Sequence, residues 1–185
     1  MAGFRNLCEV GVALAVLVGC AAPDPLALRS LPKGEPLGIR AILAAHPNQN
    51  ICVDYEAKTD SCASVITATL RGSVMQSREV AIVRTPDGAA TQQIAVRTRS
   101  KVVDGGLCSA SNDVTVEGRD AMAQFVQDFT RGLVDEFGGS VCASYFRAAD
   151  GDGYVIRTTG ANGQPFPPGE QTARFVTGPA KLWVQ

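Results

Sequence analysis

Residues 78–103 contain two strand-like segments, REVAIVR (78–84) and TQQIAVRTRSKVV (91–103), on either side of the turn Thr85-Pro86-Asp87-Gly88. Proline presets the backbone φ of a turn and the glycine accepts a positive φ, so this segment predicts a β-hairpin. A hairpin is also expected upstream, because residues 50–56 and 62–71 carry the alternation and the β-branched content of strands. Together the four segments predict an antiparallel meander.

The hydrophobic period changes to about 3.6 residues after the meander, which indicates one long amphipathic helix. Asp113 or Thr115 can cap the start of this helix, and Gly138-Gly139 ends it. We interpret its apolar stripe as the face that packs on the sheet. The stripe consists of Met122, Phe125, Val126, Phe129, Leu133, Val134 and Phe137.

A further strand pair follows this helix, since residues 141–147 and 154–159 flank a turn rich in Asp and Gly. Short closing strands are expected at 174–177 and 181–184. The order of strands, helix and strands predicts an α+β fold. In this fold an antiparallel β-sheet, a meander and then a hairpin, carries one long amphipathic helix on one face.

Length and composition fit a single globular domain, with 185 residues, 45% of them apolar, and a formal net charge of −1. We place this domain at residues 39–185. The near balance of 17 basic and 18 acidic residues argues against a nucleic-acid partner. No apolar run reaches the length of about 18 residues that a membrane-spanning helix needs.

The N-terminus has the layout of an export signal, in which a short head with Arg5 precedes the apolar residues 10–18. That core ends at Leu17-Val18-Gly19-Cys20, which resembles the lipobox of bacterial lipoproteins. The resemblance implies that the signal peptide, residues 1–19, is removed and that Cys20 receives a diacylglycerol and acyl chains such as palmitate. With Ala21 after the cysteine, it also implies an outer-membrane protein that is anchored by lipid and faces the periplasm.

Residues 20–38 are expected to form a tether between this lipid and the domain, because they show no sustained periodicity and are rich in proline. The prolines are Pro23, Pro25, Pro32 and Pro36.

Four cysteines remain in the domain, and an even number in an exported protein predicts two disulfide bonds. Three pairings are possible. A hairpin centred on Ala57 would bring Cys52 opposite Cys62, which leaves Cys108 to pair with Cys142 across the helix. No two of these cysteines have the spacing of zinc ligands, so we expect neither a metal nor a cofactor.

The sequence offers little support for an enzyme. The only histidine, His46, lies in a loop, and we interpret it as a surface residue rather than a catalytic base. No phosphate-binding glycine motif is present. The Asp150-Gly151-Asp152 segment lacks the later ligands of a calcium loop and is interpreted as a turn.

Charge is distributed unevenly along the chain. Strand alternation predicts that Arg97, Arg99 and Lys101 share one face, and this face is a candidate partner-binding surface. Its partner would be an envelope protein or an anionic envelope polymer. The alternative is a solvated face whose charges prevent aggregation. Residues 71–101 contain six basic residues, Arg71, Arg78, Arg84, Arg97, Arg99 and Lys101, against Glu79 and Asp87.

These observations favour a lipid-anchored cell-envelope protein that acts as a non-enzymatic binding or scaffold module, or as an accessory subunit of an envelope assembly. The alternative hypothesis is a periplasmic hydrolase that acts on cell-wall glycan through two carboxylates. A third is a structural spacer. The candidate acids of the hydrolase are Asp54, Glu56, Asp150 and Asp152.

Overall fold

The computed structural model describes residues 34–85, 88–149, 151 and 153–184. The predicted signal peptide, Cys20 and most of the tether lie outside these ranges, as do Pro86, Asp87, Asp150 and Asp152. None of the helices within these ranges has the length and apolar character needed to cross a bilayer.

Most of the described chain is β-strand. In chain order the elements are α1 (Ile39–Ala45), β1 (Asn50–Val53), β2 (Ser61–Cys62), β3 (Ser64–Arg71), β4 (Val74–Arg84), β5 (Thr91–Val103), β6 (Gly106–Ala110), a 3₁₀ turn (Ser111–Asp113), β7 (Val114–Val116), α2 (Ala121–Glu136), β8 (Ser140–Arg147), β9 (Tyr154–Gly160), β10 (Pro165–Val176) and β11 (Lys181–Leu182).

Eight of these strands close into an antiparallel barrel in the order β4-β3-β1-β10-β9-β8-β6-β5, and β5 returns to pair with β4. The predicted α+β fold, an open sheet with one long helix on a face, is therefore wrong. The predicted β4–β5 hairpin is present, and β6 before α2 pairs with β8 after it, but the sheet closes on itself instead of staying open. Closure gives each of the eight strands a partner on both sides, which leaves fewer backbone groups exposed than an open sheet would.

Helix α2 begins later than the sequence suggested. Its N-cap is Asp120, whose side chain accepts a hydrogen bond of 2.8 Å from the backbone N–H of Ala123. The other two candidate caps lie upstream of the helix, since Asp113 ends the 3₁₀ turn and Thr115 lies in β7. The residues before Asp120 therefore extend the sheet instead of the helix.

The apolar stripe of α2 is only partly buried. Val126 and Val134 pack inward as expected, but Phe125 and Phe129 are each 40% exposed and stack on one another with ring centroids 6.3 Å apart. The remaining inward positions carry the smaller Ala123 and Thr130. The interpretation of the aromatic side chains as core residues is thus wrong for these two phenylalanines.

One helix covers each end of the barrel. At the first end the N–H of Ile39 in α1 donates to Gly105 O at 3.0 Å, and Arg40 donates to Gly72 O at 2.6 Å. At the opposite end Ala123 and Val126 of α2 pack on the inner faces of β4, β5 and β7. Apolar side chains therefore fill both ends of the barrel.

Strand β7 pairs with β5 on one side and faces α2 on the other. Gln127 of α2 fills the place of a strand there: its amide oxygen accepts from Val116 N at 2.7 Å, and its amide nitrogen donates to Val114 O at 3.0 Å. Helix α2 is thus joined to the barrel by hydrogen bonds as well as by apolar contact.

Two disulfide bonds link the predicted cysteine pairs. Cys52 in β1 bonds to Cys62 in β2, with the Cα atoms 5.4 Å apart. Cys108 and Cys142 are directly opposite one another on β6 and β8, with the Cα atoms 4.0 Å apart. The second bond therefore joins two paired strands and encloses α2 in its loop, whereas the first joins the barrel strand β1 to β2, which pairs with β11 in a separate two-stranded sheet.

Candidate functional site: a basic outer face and a polar interior

The outer surface of the barrel is basic along β4 and β5. Arg97, Arg99 and Lys101 are exposed on β5, on the opposite side of the strand from the buried Ile94 and Val96. Two more arginines lie beside them on the neighbouring strands. Arg78 of β4 is opposite Arg97, and Arg71 of β3 is in line with Lys101, because both are opposite Val74 of β4. We call this surface the basic face; it consists of Arg71, Arg78, Arg97, Arg99 and Lys101.

One acidic side chain, Glu117, is bound within the basic face. It accepts two hydrogen bonds of 2.9 Å from Arg78 and another from Arg97. These hydrogen bonds lower the pKa of Glu117 to about 2. Within the described residues Arg99 and Lys101 have no such acidic partner, so the face keeps an excess of positive charge.

His46 is half-buried and held on three sides, so its interpretation as an ordinary surface residue is wrong. Its ring stacks on Phe175 with centroids 4.0 Å apart, its Nε2 lies 2.9 Å from the hydroxyl of Tyr154, and its Nδ1 lies 3.0 Å from Gln49 Oε1. Both ring nitrogens are thus engaged by groups that are not nucleophiles. The arrangement fixes the loop after α1 against the barrel.

The two described carboxylates of the hydrolase hypothesis have different surroundings. Asp54 is mostly buried and accepts hydrogen bonds from the backbone N–H of Thr172 at 2.8 Å and from its hydroxyl at 3.2 Å. Burial raises the pKa of Asp54, and these hydrogen bonds oppose the rise. Glu56 is exposed and accepts from the N–H of Lys58 at 2.9 Å. Asp54 thus holds the end of β1 to β10, and Glu56 stabilises the turn at Lys58.

A carboxyl that sequence reasoning did not single out, Glu79, points into the barrel. It shares the inward side of β4 with Met75 and Ala81, and Ser64 donates a hydrogen bond to its Oε1. Burial raises the pKa of Glu79 to about 7, and the negative charge of Asp54 adds to the rise. The sequence feature that could have revealed Glu79 is an acidic residue at a position where the alternation of the strand places side chains inward.

Glu79 belongs to a polar layer between the two apolar ends of the barrel. Two residues that are opposite one another on paired strands point to the same side of the sheet. The known inward residues of one strand therefore identify the inward residues of the next strand. We call this layer the polar waist; it consists of Ser64, Ser77, Glu79, Thr98, Ser100, Ser109, Thr158 and Gln171.

Nothing in the described ranges groups three or more His, Cys, Asp or Glu side chains in a way that could hold a metal ion. Comparison with known protein families, with characterised proteins and with solved structures finds no match for this chain. Its function therefore has to be argued from its own residues.

Proposed function

We propose that this chain is a lipid-anchored protein of the outer membrane that faces the periplasm and binds an acidic surface of another envelope protein through its basic face. In this function it is a non-enzymatic scaffold or accessory subunit. The observation that carries the proposal is the basic face itself, in which five cations share one outer surface and two of them, Arg78 and Arg97, bind a single carboxylate, Glu117.

The geometry of the barrel favours a protein partner. Residues two apart on a strand lie about 7 Å from one another, so the cations of β5 are held at fixed spacings on a rigid sheet. Fixed spacing suits a partner whose carboxylates are also fixed, and complementary charge mainly supplies specificity and rapid association. A flexible anionic polymer would not need such a fixed arrangement.

Two features support an envelope location. The segment Leu17-Val18-Gly19-Cys20 provides a site for lipid attachment. The two disulfides require an oxidising compartment, which the periplasm is. Two or three acyl chains would hold the domain stably at the membrane.

Charge reversal tests the proposal. The variant Arg99→Glu/Lys101→Glu leaves the Arg97–Glu117 ion pair in place, and a matched control, Lys58→Glu/Arg131→Glu, reverses two exposed cations elsewhere. Crosslinking and recovery from intact envelopes should yield a discrete protein partner with the control but not with the basic-face variant. Both variants should keep the wild-type melting temperature.

Recovery of the same partner with the basic-face variant would refute the proposal. Recovery of cell-wall or other anionic polymer instead of a protein would refute the choice of partner. A Cys20→Ala form tests the anchor, because loss of lipid should release the protein from the membrane fraction.

The hydrolase hypothesis receives less support. Asp54 is occupied by hydrogen bonds from Thr172, whereas Glu56 is exposed and bonded to a turn. A glycosidase needs two carboxyl groups that face one substrate across a cleft.

A further inference from the structure

We propose that Arg78 and Arg97 form a carboxylate-binding subsite of the basic face, which Glu117 occupies in the free protein and yields to a carboxylate of the partner. This inference rests on the proposed function of the basic face and adds the chemistry of its ligand. Glu117 is then an internal competitor, which a partner has to displace in order to bind.

The two arginines need an anion because of their position in the sheet. Arg78 of β4 is directly opposite Arg97 of β5, so two like charges face each other across paired strands. Like charges in this arrangement are destabilising. An anion that is bound by both side chains removes this repulsion, and it is therefore expected in the free protein and in the complex alike.

The hydrogen bonds around Glu117 have the geometry of carboxylate recognition. The Nε and Nη2 atoms of Arg78 donate to different carboxylate oxygens of Glu117, each at 2.9 Å, and Nε of Arg97 donates to one of these oxygens. Two parallel hydrogen bonds from one guanidinium group are the arrangement in which arginine binds carboxylates most specifically. A carboxylate of the partner would meet the same donors.

The side chain of Glu117 can leave this position without disturbing the fold, because its backbone is held separately. The backbone N–H of Glu117 donates to Ala95 O at 2.7 Å. Strand β7 before it pairs with β5, and Asp120 after it caps α2. Rotation of one side chain is therefore enough to release both arginines.

The ion pairs of Glu117 are exposed enough to be exchanged. The side chains of Arg78 and Arg97 are 44% and 68% exposed, and that of Glu117 is 29% exposed. Ion pairs with this exposure contribute little to stability, since water and salt screen them. A second carboxylate that approaches from the solvent can therefore compete with Glu117 for the two arginines.

The rest of the basic face gives a partner its advantage over Glu117. Arg99 and Lys101 continue the row that begins at Arg97, at intervals of about 7 Å along β5. A rigid partner that binds these two cations raises the effective concentration of a further carboxylate at the subsite. A small anion has no such help and must compete with Glu117 alone. The subsite therefore selects partners that carry several fixed carboxylates.

An alanine-rich helical peptide with a glutamate at every fourth position is a suitable probe, because neighbouring glutamates are then about 5–6 Å apart. The same peptide with glutamine in place of glutamate is the neutral control. Binding of the fluorescein-labelled peptides to the full-length protein is measured by anisotropy in about 0.1 M salt, which limits long-range effects of charge. The wild type should bind the glutamate peptide and not the glutamine peptide.

The variant Glu117→Gln should bind the glutamate peptide about fivefold more tightly than the wild type, because the internal competitor is gone. Glu136→Gln removes the same charge from an exposed position of α2 and should leave the affinity unchanged. In a protein that already carries Arg78→Gln/Arg97→Gln, the additional substitution Glu117→Gln should change the affinity by less than about twofold, since the site of competition is absent.

NMR of the carboxyl carbons observes the displacement itself. The resonance of the Glu117 side-chain carboxyl should move as the peptide saturates the wild type, whereas that of Glu136 should stay in place. Circular dichroism and thermal denaturation of each variant show that its fold is intact.

Three results would overturn this inference. They are equal affinity of the wild type and Glu117→Gln, an equal gain with and without the two arginines, and the absence of peptide binding to Glu117→Gln. If one of them occurs while Arg99→Glu/Lys101→Glu still loses its partner, the basic face functions without this subsite. The proposed function itself fails where Arg99→Glu/Lys101→Glu changes neither peptide binding nor the recovery of a partner.

Discussion

Replacement of Glu79 by glutamine should make the stability of this protein much less dependent on pH. The barrel raises the pKa of Glu79 from 4.5 to about 7. The folded state therefore holds a proton that the unfolded state has already lost between these two pH values. Stability is full below about pH 4.5, falls as the pH rises to about 7, and is level above that value.

The size of the effect follows from the difference between the two pKa values. A difference of about 2.5 units at about 1.4 kcal/mol per unit corresponds to about 3 kcal/mol of lost stability above pH 7. For a domain of this size, that is a melting temperature lower by about 6–12 °C. Glutamine stays neutral and can still accept the hydrogen bond from Ser64.

Urea denaturation of the wild type, Glu79→Gln and Glu136→Gln across about pH 4–8 measures this directly. Glu79→Gln should match the wild type near pH 4 and exceed it by about 3 kcal/mol near pH 8. Asp54 titrates in both proteins and largely cancels in the comparison. Parallel pH curves for the wild type and Glu79→Gln would show that Glu79 is not buried as an unpaired carboxyl.

Four further substitutions test the fold and the basic face. Asp120→Ala removes the cap of α2 and should cost about 1 kcal/mol in thermal denaturation; no loss would mean that the helix begins elsewhere. Phe129→Gln should change stability by less than about 0.5 kcal/mol, whereas Val126→Ala should cost about 2 kcal/mol, and the reverse order would place the aromatic stripe in the core. Glu117→Gln should cost less than about 1 kcal/mol at neutral pH, and this cost should shrink as the pH falls towards 2, because the lowered pKa gives stability that disappears as the carboxylate is protonated. An undiminished cost in high salt would contradict this assignment.

The sequence predicted local pairing well and barrel closure not at all. The β4–β5 hairpin has a turn and two alternating strands within one short segment, so its signal is contiguous. Closure depends instead on pairs such as Ile51 with Phe175, which are distant in the chain. Alternation shows that a strand has a buried side, but it does not show which other strand completes the sheet.

Helix α2 shows a second limit of periodicity. Its sequence carries two adjacent apolar stripes, one with Phe125 and Phe129 and the other with Val126 and Val134. Both have helical spacing, and hydrophobicity alone favours the aromatic one. The structure buries the stripe that also contains Ala123 and Thr130, so the smaller side chains meet the inner faces of the strands.

The basic face could be predicted from the sequence, whereas the burial of Glu79 could not. The common face of Arg97, Arg99 and Lys101 follows from alternation within one strand, so the sequence predicted it. Glu79 obeys the same alternation, but its importance arises only when the other strands surround it. Burial of a polar group is a property of the closed barrel and not of strand β4.

The hydrogen bonds of Gln127 have a consequence for the behaviour of the protein at high concentration. A strand edge with free N–H and C=O groups can template a strand from another chain, and that is a route to aggregation. The Gln127 amide occupies those groups on β7. One side chain thus keeps neighbouring molecules from extending the sheet, and a variant without it would offer β7 as a seed for intermolecular β-structure.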